Sequence, residues 1–113
     1  MAFTSTNVTT KLAAVTLRKN ILDWFRDIKA LIQVDTTNSK KEALVLLRLL
    51  VRAIQVFMVD EKANLFSSDK IALEMLQNEV IHFISNFEES DEISRLKKAK
   101  ELETTAKTIL QTN

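Results

Sequence analysis

Apolar residues recur along this chain at steps of three and four, the spacing that places side chains on one face of an α-helix. The series runs Leu17, Ile21, Trp24, Ile28 and Leu31, with Phe25 and Ile32 beside it and Arg18, Lys19, Asp23, Arg26, Asp27 and Lys29 opposite. This predicts a one-sided amphipathic helix with a cap among Asn7, Thr9 and Thr10 and an end near Val34. The period breaks at Asp35-Thr-Thr-Asn-Ser39, a run of side chains that favour turns. Ser39-Lys-Lys-Glu42 fits a capping box, so a second helix is predicted from Ser39 to Asp60 or Lys62, with Asn64 as the left-handed residue beyond its end. A third helix starts with Ser67 as cap, Phe66 packing on Ile71 as a staple and Asp69 in the first turn. It carries Leu73, Leu76, Val80, Phe83 and Phe87. After Glu88-Glu-Ser90-Asp-Glu92, with Ser90 as cap, a more polar fourth helix aligns Ile93, Leu96, Ala99, Leu102, Ala106, Ile109 and Leu110. Asp91 with Arg95 and Glu103 with Lys107 form i, i+4 pairs around that stripe.

Four helical segments joined by short loops stack antiparallel, so the expected fold is an all-α, up-down four-helix bundle, or five helices if the first is split. Residues 1–7 read as a frayed tail and residues 8–113 as one helical domain, a size that buries a core without staples. The chain has no glycine and no proline where an average one of this length has roughly eight and five or six. Turns must therefore come from Asn, Asp, Ser and Thr, and both tight hairpins and glycine-built phosphate loops are disfavoured.

The second helix is almost all hydrocarbon. Between Ala43 and Val59 only Arg48, Arg52 and Gln55 interrupt it. With Lys41 these polar residues project within a wedge of about 60° if each residue advances by about 100°. Two arginines near mid-span make insertion into a bilayer costly, so no transmembrane segment is expected. Leu46, Leu47, Leu50, Ala53, Ile54 and Phe57 already make a sufficient core stripe. Leu44, Val45, Leu49, Val51, Val56 and Val59 are surplus to it, which makes them the candidate interface, with Arg48, Arg52 and Gln55 as its polar edge.

Charge and chemistry narrow the function. The net charge of +1 gives no global case for nucleic acid, and the run Arg95-Leu-Lys97-Lys98-Ala-Lys100 is followed by Glu101 and Glu103 with no aromatic to stack on a base. No nucleic-acid partner is expected. Residues 1–34 are net basic and residues 61–89 net acidic, which favours packing those segments together or two copies head to tail. The one histidine, His82, follows Glu79 by three residues, the spacing of a bundle metal site, but a second Glu-x-x-His is absent. Glu79, His82 and Ser85 share one helix face with no oxyanion hole, so catalysis is not expected either. Met58 and Met75 read as core. The absence of cysteine excludes disulfides, thiolate zinc sites and a cysteine nucleophile; the polar N-terminus, with no apolar signal core, makes a cytoplasmic setting the expectation, and no metal or cofactor is expected.

Residues 73–102, from LEMLQ to the SDEISRLKK run beginning at Ser90, resemble the later helices of the docking domain at the start of transcription elongation factors, without that family's Gly-Lys pair or late Trp-Lys. The small helical chain with Leu65-Phe66-Ser67-Ser68 between two helices is similar in outline to immunity proteins of pediocin-like bacteriocins, without their aromatic C-terminal tail. Both resemblances imply a non-catalytic helical binder. The expected function is protein–protein contact, through helix 2 and with a protein partner or as a homo-oligomer. The alternative is an immunity or inhibitor-type protein that sequesters its partner, and the third reading is a metal-binding bundle.

Overall fold

The computed structural model describes the backbone of residues 6–59 and 65–111, and side chains at 18–59 and 65–110. Among these residues there are four helices, α1 (Thr6–Val34), α2 (Thr37–Val59), α3 (Ser67–Asn86) and α4 (Glu92–Gln111), and no strand. They form an up-down bundle in which α2 packs between α1 and α3, and α4 closes the square against α3 and α1. The first helix is unbroken, which excludes the five-helix alternative. Asn7, Thr9 and Thr10 lie inside α1 rather than ahead of it, and the side-chain caps expected of them lie outside the described residues. Of the predicted tail, residues 1–7, Thr6 and Asn7 already belong to α1 and residues 1–5 lie outside the described residues, as does the left-handed role of Asn64.

The core follows the predicted stripes. Ile21, Phe25, Ile28 and Ile32 of α1 meet Ala43, Leu47, Leu50, Ile54 and Phe57 of α2, all but inaccessible to water. From α3 and just beyond it come Leu73, Leu76, Val80, Phe83 and Phe87, with the rings of Phe83 and Phe87 edge to face at 5.4 Å. The fourth helix adds Ala99, Leu102, Ala106, Ile109 and Leu110. Ile93 is not with them but exposed, because nine residues before Leu102 put it about half a turn out of phase.

Two joints are built by caps that differ from the predicted ones. Asp35 takes the left-handed conformation, φ 54°, and its N–H donates to the Leu31 carbonyl at 3.3 Å, the bond of an αL helix stop. In a chain without glycine, aspartate is one of the few residues that tolerates this region. Thr36 then caps α2: its Oγ1 accepts from the Ser39 amide at 3.0 Å and its own amide donates to Ser39 Oγ at 2.8 Å. Ser39 is thus the returning partner of the box rather than its head, and the helix begins two residues earlier than predicted. Asp91, not Ser90, caps α4 by accepting from the Ser94 amide at 2.7 Å. Ser90 instead donates its hydroxyl back to the Asn86 carbonyl at 2.8 Å. At α3, Ser67 is the first helical residue, and the Phe66 amide donates to Asp69 at 3.2 Å. Phe66 and Ile71 are both largely exposed.

Arg95 ties these joints together. Predicted on the flank of α4, it is buried, its guanidinium 4.9 Å over the Phe87 ring. Nε donates to the Phe87 carbonyl and Nη2 to that of Glu88 at 3.1 Å, closing the end of α3 with a cation where the helix dipole favours one. Nη1 lies 3.7 Å from Asp35 in the other joint, beside Lys40 at 3.6 Å. Glu103 likewise leaves its predicted i, i+4 role and pairs with Lys29 of α1 at 2.6 Å, part-buried.

Two outcomes test these joints. Arg95→Ala lowers the free energy of unfolding in urea by about 3 kcal/mol, because two carbonyls and Asp35 lose a charged partner, and Arg95→Lys recovers less than half because an ammonium cannot fork. The second concerns Asp91, whose carboxyl is held below its usual range by the Ser94 amide, then by the Ser94 hydroxyl and by the Arg95 charge, against desolvation. A folded-state value below the unfolded one stabilises above the unfolded pKa and is lost as pH falls through the folded one. Asp91→Ala therefore unfolds earlier than wild type at pH 7, and the gap between their urea midpoints closes as the pH drops below the carboxylate range.

Candidate interaction surface

Packing against α1 and α3 takes up half the circumference of α2 and leaves the other half in water. Leu44, Leu47, Leu50, Ala53, Ile54 and Phe57 face inward, with Leu46, Val51 and Met58 half-buried at the margins. Of the predicted interface, Leu44 therefore lies in the core and Val51 at its border. Val45, Leu49, Val56 and Val59 remain outside, at 52%, 42%, 48% and 79% exposure. Stepping by about 100° from Val45 puts Val56 and Leu49 within about 40° of it, a stripe along the outermost line of the helix.

Arg48, Arg52 and Gln55 are exposed beside that stripe. Among the described residues no carboxylate lies within 4 Å of either arginine. Their positions on one helix, with Lys41 against the single Glu42, make the outer face of α2 basic as well as apolar. Gln55, Met58 and Val59 also border a shallow groove of about 540 Å³ whose far wall is Glu74, Gln77, Asn78 and Ile81 of α3.

The outer face of α3 is apolar and acidic, and it differs from the expected pattern. Met75, predicted to be core, is 63% exposed, and Ile71 is 61% exposed. Counting from the buried line Leu73, Val80 and Phe87 puts both on the far side of the helix, so the helical period carried the signal. Glu74 and Glu79 flank them, and His82 lies on the same face.

The remaining candidates stand apart. Glu79, His82 and Ser85 are all exposed, and among the described residues no three metal-ligating side chains converge. The basic run of α4 is broken by the burial of Arg95 and by the approach of Lys98 to Glu101 at 3.8 Å. No described helix is long and apolar enough to cross a membrane. Comparison with known protein families, curated proteins and solved structures gives no match to this chain.

The two edges of α2 differ in a measurable way. Val45→Asp combined with Val56→Asp changes the free energy of unfolding in urea little, within roughly 1 kcal/mol, since both carboxylates reach water. Leu44→Asp puts a charge into the core and costs about 3 kcal/mol or more in the same measurement.

Proposed function

We propose that the protein works by protein–protein contact, without chemistry of its own, and that the outer face of α2 is its contact surface. The observation that carries this reading is the stripe Val45, Leu49 and Val56, exposed in line beside Arg48 and Arg52. Full burial of a valine or leucine is worth on the order of 1.5–3 kcal/mol, so a row of half-exposed ones is a standing source of association energy. A contiguous apolar patch rimmed by polar side chains is how binding surfaces present themselves. Arginine strengthens the case, because it covers apolar surface with its stem and forks onto carboxylates with its head. The partner this face suits carries acids beside its own apolar residues.

The test is photo-crosslinking in the cells that make the protein, with a photoreactive residue at Leu49 and, as control, at Lys107. The expected result is a protein adduct from position 49 alone, lost when Arg48→Glu and Arg52→Glu are added to a chain that still folds. A reactive residue at 49 that yields no adduct, or adducts equal to those from 107, sinks the proposal.

A further inference from the structure

We infer that the occupant of the α2 face is a second copy of this chain, presenting the outer face of its α3. The inference rests on the reading of α2 given above and extends it to a partner. Two exposed faces of the same molecule are complementary in both respects that matter. One is apolar with cations, Val45, Leu49 and Val56 beside Arg48 and Arg52; the other is apolar with anions, Ile71 and Met75 between Glu74 and Glu79. Each lies on a helix of 20 residues or more, long enough to cross a partner helix over several turns.

A symmetric contact of α2 with α2 is the weaker choice. It brings four arginines together around the dyad, and like charges juxtaposed in an interface oppose association. Contact of α2 with α3 replaces that repulsion with attraction and covers the exposed Met75 and Ile71 as well. The two faces lie on adjacent corners of one bundle, so the contact is heterologous: what one copy gives, the next receives.

Charge exchange tests this directly, with association followed by sedimentation velocity. One variant carries Arg48→Glu and Arg52→Glu, the other Glu74→Lys and Glu79→Lys; all four positions are exposed, and circular dichroism and the urea midpoint verify folding. Wild type is expected to self-associate at concentrations up to about 500 µM, the range of a weak interface, and less so in high salt. Either variant alone weakens association by roughly tenfold or more, and an equimolar mixture of the two restores it, because each reversed face then meets its complement. A wild-type chain that stays monomeric overturns the inference and leaves the α2 face to be decided by crosslinking at Leu49. Association abolished by the α2 reversal and untouched by the α3 reversal also overturns it, while keeping α2 as an interface with another occupant. If neither reversal alters association, both the inference and the reading beneath it fail.

Discussion

A guanidinium taken out of water must be met on every side, and the burial of Arg95 sets that demand at one end of the bundle. Its partners are the last carbonyls beyond α3, the face of Phe87 and the carboxylate of Asp35. Those groups belong to the α3–α4 turn and the α1–α2 joint, so one side chain fixes the start of α4 against the end of α3 and the beginning of α2. Each joint also relies on a residue held in one conformation, Asp35 at positive φ and Asp91 as a cap. In a chain with no glycine, side-chain hydrogen bonds do the work that backbone freedom does elsewhere.

The rotation of α2 and α3 about their own axes is set by the core they share, and with it the surface the molecule offers. The core takes one half of α2, and the rest of an almost wholly apolar helix stays wet. On α3 the same geometry exposes Ile71 and Met75 between carboxylates. These outward faces follow from the packing of the inward ones. A functional reading therefore rests on the surplus of apolar residues over what a four-helix core consumes.

How far the sequence was legible varies with the range of the interaction. Helix count, fold class and most core positions are readable because they depend on spacing within one helix. The caps fall at Thr36 and Asp91 rather than at the expected Ser39 and Ser90 for a local reason: all are good acceptors, and the choice between neighbours depends on where the preceding helix stops. The sequence places Arg95 and Glu103 toward solvent because their neighbours offer i, i+4 partners. Their actual partners, Asp35 and Lys29, are far away in the chain.

The sequence alone determines that there are helices, roughly where they begin and end, and that α2 carries more hydrocarbon than a core needs. Periodicity gives the angle between two side chains around one helix axis. It does not give the direction in which the neighbouring helices lie, and on a helix as uniformly apolar as α2 the polar wedge is too narrow to supply it. Leu44 and Val45 are adjacent and similar, yet one is in the core and the other in water. Only the positions of α1 and α3, which close on α2 from two sides, decide which of them is which.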